Sequence, residues 1–177
     1  AIHLEKLGYQ SVIIEADSHV GGRVQTDIVE GYQLDRGFQV LLEAYPMAKK
    51  YLDYDKLNLQ PLDSGALIFQ DKKAHLFGDP LRDSSFLLPT VMSSLATLQD
   101  KLKVFQLKQR LQKTDINDIF EKKEQTTHTY LENLGFSSKV INSFFKPFFS
   151  GIFLEPDLKT SSRMFEFVYK MFGAGTA

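Results

Sequence analysis

One stretch, VIIEADSHVGGRVQTD from Val12 to Asp27, constrains this chain more than any other. An apolar, β-branched run ends on an acid, Glu15; a short polar loop follows, then a glycine pair, Gly21 and Gly22, and an arginine, Arg23. Ser11 to Glu15 has the continuous apolar character of a buried parallel strand, not the alternation of a strand with one wet face. Before it, Ile2, Leu4 and Leu7 with Gly8 read as the last turns of a helix whose start is absent. Helix, glycine and buried strand form the second half of a βαβ unit.

In a dinucleotide-binding fold, an acid at the C-terminal edge of such a strand accepts hydrogen bonds from ribose hydroxyls. Its phosphate-binding glycine loop lies about 20 residues upstream. That position falls before Ala1, so the chain reads as a fragment. Gly21 and Gly22 let backbone pass close to a cofactor, and the forked guanidinium of Arg23 offsets phosphate charge. Alone, Glu15 would be a solvated strand end and the glycine pair a turn. The ordered set, with Thr26 and then Asp35-Arg36-Gly37 after it, favours the cofactor reading.

Downstream, alternation with turn residues at Glu30 and Gly31 predicts a hairpin of Val24 to Val29 and Tyr32 to Asp35. A short helix is expected over Tyr45 to Leu52, and a second hairpin over Ala66 to Gln70 and Ala74 to Phe77. From Asp83 the pattern turns helical. Leu95, Leu98, Leu102 and Phe105 form an apolar stripe, with the bases Lys101, Lys103, Lys108, Arg110 and Lys113 read as a solvated face in preference to a membrane-contacting one. Further helices are expected over Thr127 to Leu134, Ser138 to Phe149 with Pro147 bending or ending it, and Ser161 to Phe172. Phe144, Phe145, Phe148, Phe149 and Phe153 recur at helical spacing and read as core before substrate wall. The fold class is α/β: a partial Rossmann-like domain over 1–60, then a mostly helical α+β domain over 61–177, with a soft boundary near 60–82.

Composition narrows the function. With 21 basic and 22 acidic residues the net charge of −1 gives no general attraction to nucleic acid, and no such partner is expected. The absence of cysteine excludes disulfides, thiolate metal sites and cysteine nucleophiles, so redox chemistry would need a cofactor. His3, His19, His75 and His128 share no metal-ligand spacing, and no metal is expected. No run approaches the ~20 apolar residues of a membrane span, and the N-terminus lacks the order of a signal peptide. The expected location is cytoplasmic or at the periphery of a membrane.

These residues resemble a known family, the FAD-dependent oxidoreductases that include amine oxidases, phytoene desaturases and protoporphyrinogen oxidases. VIIEADSHVGGRVQT looks like that family's second flavin signature and YQLDRGFQVL like the strand after it. FFKPFFSGIFLEPDLKTSSRMFEFV is similar to its substrate-domain helices. The resemblance implies FAD as cofactor, with Glu15 on the adenosine ribose, Gly21, Gly22 and Arg23 on the pyrophosphate side, and Gly37, Phe38 and Gln39 near the flavin ring. The family's initial glycine loop and its C-terminal flavin-contacting segment have no counterpart in the 177 residues. The implied reaction removes hydride from a small-molecule substrate, either an amine or something apolar such as an isoprenoid polyene or a porphyrinogen. The Phe-rich second half favours the apolar class, and no catalytic residue is assigned. Two alternatives stay open: a nicotinamide-dependent Rossmann dehydrogenase, which accounts for Glu15 but not for Gly-Gly-Arg, and a non-catalytic helical lipid-binding or interaction module.

Overall fold

The structure, a computed structural model, describes residues 1–36, 40–63, 65–70, 72–78 and 83–175, with the backbone alone at Arg23 and Phe77. Two compact units divide the chain, Ala1–Val40 and Leu41–Ala177.

In the first unit, helix α1 (Ile2–Lys6) leads into extended and bent backbone up to Gly21. Strands β1 (Thr26–Val29) and β2 (Tyr32–Asp35) pair antiparallel, with Val29 opposite Tyr32. Glu30 and Gly31 both have positive φ, 52° and 87°, which matches the right-handed twist of the flanking strands to a two-residue turn. The hairpin is the expected one, except that Val24 belongs to a 3-10 turn, Gly22–Val24, and the ladder starts at Thr26.

The buried parallel strand expected over Ser11 to Glu15 is not formed. These residues take no regular secondary structure and pair with no strand among the described residues, and Val12 and Ile14 are 88% and 93% exposed. β-branched composition favours extended backbone, but a strand also needs a ladder partner and a covering layer. Rossmann-like topology is thus an expectation that the described residues do not display; they show helices and two small antiparallel hairpins, a mixed α and β chain.

The second unit holds the core. Helix α2 (Pro46–Tyr51) has Pro46 in its first turn, where a missing N–H costs nothing. Strands β3 (Gly65–Gln70) and β4 (Lys73–Gly78) make the second hairpin. Thr90, in α3 (Leu87–Met92), exchanges hydrogen bonds of 3.1 Å with both backbone groups of Gly78 and so ties helix to hairpin. Five further elements build the body: α4 (Leu98–Lys113), α5 (Ile116–Glu121), α6 (Thr127–Asn133), a composite helix described next, and α9 (Ser162–Ala174). The composite helix is α7 (Ser138–Val140), a π turn (Ile141–Phe145) and α8 (Lys146–Phe153). Its widened turn ends just before Pro147, which has no N–H to return to the preceding turn. α5 is not among the expected helices; Asp115 starts it, accepting a hydrogen bond from Asn117 N–H at 2.8 Å.

Leu107, Leu111, Ile119, Leu131, Phe145, Phe149 and Phe165 fill the centre of this unit. The predicted apolar stripe of α4 is corrected here. Leu95, which precedes the helix, is buried as expected, but Leu98, Leu102 and Phe105 face outward, while Asp100, Leu107 and Leu111 are buried. Asp100 is drawn in because it serves two helix starts at once. It forms a capping box with Thr97, accepting from Thr97 N–H at 2.9 Å, and also accepts from Ser137 N–H at 2.8 Å and Ser137 Oγ at 2.7 Å. Burial pushes the Asp100 carboxyl up, but the bonds from Ser137 and Thr97 outweigh it and hold the group below the ordinary carboxylate range.

The basic face is exposed or half-exposed, and several of its members also make fixed contacts. Lys101 caps the end of α3, its Nζ donating to Val91 O at 2.6 Å and Ser93 O at 2.9 Å. Lys103 donates to Gly135 O. Arg110 joins a buried cluster around Glu166, which is 2% exposed: Tyr130 OH donates to Glu166 Oε1 at 2.5 Å, Lys122 Nζ donates to Oε2 at 2.5 Å, and Arg110 donates to Tyr130 OH at 2.5 Å. Burial, and secondly the bond to Glu166, pushes the Tyr130 phenol well above its usual range. No helix among the described residues is long and apolar enough to cross a membrane.

Candidate functional site

The stretch from Glu15 to Arg36 is organised by short-range polar chemistry. Glu15 Oε1 accepts from Asp17 N–H at 3.0 Å and Asp17 Oδ1 from Ser18 N–H at 2.7 Å, which folds the loop back on itself. Gly21 (φ +112°) and Gly22 (φ +53°) then take left-handed backbone. A Cβ at Gly22 would meet nothing within 4 Å, so conformation and open space, not close packing, account for the missing side chains. The backbone of Arg23 lies in the 3-10 turn that follows. Gly37, Phe38 and Gln39 lie outside the described residues.

A residue with no assigned role turns out to hold this region together. Arg36 grips Asp27 with two bonds, Nε to Oδ2 at 2.8 Å and a terminal nitrogen to Oδ1 at 3.1 Å, and reaches Asp17 at 3.9 Å. The Arg36 guanidinium holds the Asp27 carboxyl below its usual range, and Asp27 in turn raises Arg36. On the other face of the hairpin Thr26 Oγ1 donates to Asp35. Both pairs follow from register: counting back from the turn puts Thr26 opposite Asp35, and Arg36 N–H on Gln25 O, diagonal to Asp27. Arg36 is therefore committed to carboxylates. The same stretch also carries Glu30 and Asp35.

In the second unit, β3 and the composite helix border an open groove of about 760 Å³. The phenylalanines divide between two uses. Phe145 and Phe149 are core, Phe149 lying 4.7 Å from Phe165 between ring centres. Phe144 and Phe148, stacked at 5.7 Å, line the groove with Leu67 and Phe69. Its polar lining includes Gln70, Lys139 and Asn142, and among the described residues no lining residue is a carboxylate.

Comparison with known proteins gives one match. The family described as flavin containing amine oxidoreductase matches residues 1–176. No curated protein matches the chain, and no solved structure does. The family match takes in the acid, the glycine pair, the hairpin and the phenylalanine-lined helices in a single span, and the chain accordingly belongs to the flavin-containing amine oxidoreductases, a family of flavin-dependent oxidoreductases.

Proposed function

We propose that the chain carries part of the cofactor site and part of the substrate site of an FAD-dependent oxidoreductase that removes hydride from an apolar substrate. The observation that supports it most is the sequence of a carboxylate, Glu15, and a left-handed, uncrowded glycine pair, Gly21-Gly22, within one family-matched segment. The donor and acceptor chemistry fits FAD: an exposed acid accepts from the ribose diol, and bare backbone with Arg23 meets the pyrophosphate. Gly37, Phe38 and Gln39 complete the site beside the flavin ring, and the division into cofactor residues 1–60 and substrate residues 61–177 belongs to the same reading. A bound flavin supplies the hydride acceptor. The chain's own part is to bind and orient, with Arg36 fixing the hairpin against the Asp17 loop.

The groove supports the apolar substrate class. Leu67, Phe69, Phe144 and Phe148 offer apolar contact, and a protonated amine would meet the charge of Lys139 there. A volume of about 760 Å³ suits a ligand of ordinary small-molecule size.

Titration of FAD into the chain, followed by flavin fluorescence, tests the cofactor assignment. Glu15→Ala is expected to weaken binding by roughly 1.5–3 kcal/mol for each charged hydrogen bond lost. Equal affinities of parent and variant would remove Glu15 from the site.

A further inference from the structure

Lys103 and Arg110 stand at the two ends of one stripe of α4, with Gln106 and Leu107 between them at helical spacing. Along the helix axis their Cα atoms lie about 10.5 Å apart, roughly two turns. Leu134 and Phe136, from the end of α6 and the turn after it, join this stripe around a cavity of about 120 Å³. It shares no lining residue with the groove beside β3 and the composite helix. The volume is well under the roughly 300 Å³ at which sites for drug-sized ligands begin, so the cavity suits only a small molecule.

The two cationic heads are held apart by separate partners. Lys103 Nζ donates to Gly135 O, and this seat depends on glycine: Gly135 has φ +73°, and a Cβ there would come within 2.8 Å of the ammonium. One terminal nitrogen of Arg110 serves Tyr130 OH and, at 3.7 Å, Glu166 Oε1. Its Nε and other terminal nitrogen have no partner among the described residues, and neither has the Gln106 carboxamide. Positive charge is in surplus here. Glu166 is the carboxylate that meets Arg110, and Lys122 already meets it at 2.5 Å, so Lys103, Arg110 and Lys122 stand against one acid. Tyr130 OH donates to Glu166 and adds no negative charge. Between the cations the lining is apolar, formed by Leu107, Leu134 and Phe136.

An occupant of this cavity has to satisfy two separated cations and an apolar middle. A compact anion such as phosphate pairs well with one cation and sets its other oxygens against leucine and phenylalanine. A short dicarboxylate answers all three demands: one carboxylate accepts from the Lys103 ammonium, the other accepts from the remaining N–H groups of Arg110, and the methylenes between them lie on Leu107, Leu134 and Phe136. We propose that this cavity binds a short aliphatic dicarboxylate, of succinate or glutarate length, between Lys103 and Arg110. The site is independent of the cofactor assignment and of the substrate groove.

Isothermal titration of the chain with succinate, glutarate, acetate and inorganic phosphate, at fixed ionic strength, tests the proposal. The tighter of the two dicarboxylates is expected to bind saturably with a Kd of about 1 mM or lower. Acetate, which reaches one cation only, should bind at least about tenfold more weakly. This comparison uses the parent chain alone, so it decides the matter even where a substitution unfolds the protein. Lys103→Met should weaken dicarboxylate binding about tenfold, and Lys103→Arg, which keeps a cation, should restore most of it. Arg110→Lys should weaken it about fivefold, since a point charge replaces several fixed donors. Lys113→Gln, on an exposed part of the same helix outside the cavity, should change nothing. The proposal is overturned if neither dicarboxylate shows saturable binding up to about 50 mM. It is also overturned if acetate or phosphate binds as tightly as the dicarboxylates, because one compact anion would then suffice. Equal losses in Lys103→Met and Lys113→Gln overturn it too, since the effect would be that of general surface charge.

Discussion

Residues 1–40 and 41–175 solve the folding problem in different ways. In the first set no described residue is buried; shape comes from the Glu30–Gly31 turn, the Thr26–Asp35 pair and the Arg36 clamp on Asp27. In the second, seven aromatic and aliphatic side chains at the centre are at most 3% exposed, and polar groups such as Asp100 and Glu166 enter only with their partners. Local polar chemistry is enough to set a backbone path. Burial is needed to hold one against denaturant.

The comparison breaks most visibly at Phe149, 1% exposed and in ring contact with Phe145, Phe165 and Phe153. Phe149→Ala should cost about 3–5 kcal/mol in urea unfolding followed by circular dichroism of the helices. A loss below about 1 kcal/mol would mean the helical body does not depend on this cluster.

A smaller effect is expected at Asp100, whose folded carboxyl titrates below its ordinary range. Its contribution is complete above the unfolded pKa of about 3.9 and is lost as pH falls through the lower folded value. Asp100→Asn should cost about 1–3 kcal/mol at neutral pH, because it offers the Ser137 and Thr97 donors one acceptor oxygen in place of two. The gap between parent and variant should close below about pH 4; a gap that stays constant down to about pH 2 would show that the carboxylate's charge is not what the Thr97 and Ser137 donors hold.

The smallest effect belongs to the first unit. Ile14→Ser should change the unfolding midpoint by no more than about 0.5 kcal/mol, since Ile14 is already in solvent. The same replacement should reduce self-association measured by light scattering, because it interrupts an unpaired β-branched run. A large fall in stability would show that Ile14 is covered, and the contrast between the two units would disappear.

What the sequence makes legible follows the same division. The first hairpin is readable because turn chemistry and alternation are local, and the helix starts at Thr126, Ser137 and Ser161 because a hydroxyl before an apolar run caps it. Glu15, Gly21 and Gly22 are readable as a motif, and the structure adds the left-handed backbone of the pair. The inward face of α4 is not readable by counting apolar residues, since Leu98–Leu102–Phe105 and Val104–Leu107–Leu111 are equally periodic. What decides between them is Asp100, pulled inward by a cap on a helix start 37 residues away. The state of Val12–Ile13–Ile14 is likewise non-local, because strand character depends on a partner strand that no feature of the run itself supplies.

The widened turn at Ile141–Phe145 sets the phase of everything after it. A π turn accommodates about one more residue than an α turn, which rotates the rest of a helix by roughly 100° relative to an unbroken α-helix. Phe149 points into the core and Phe148 toward the groove only because of that rotation. Removal of a single residue between Ile141 and Phe145 would let the turn close as an ordinary α turn and leave Phe148 and Phe149 facing as they do, whereas the same deletion after Phe145 would act as a frame change in space, each later side chain facing the direction meant for another.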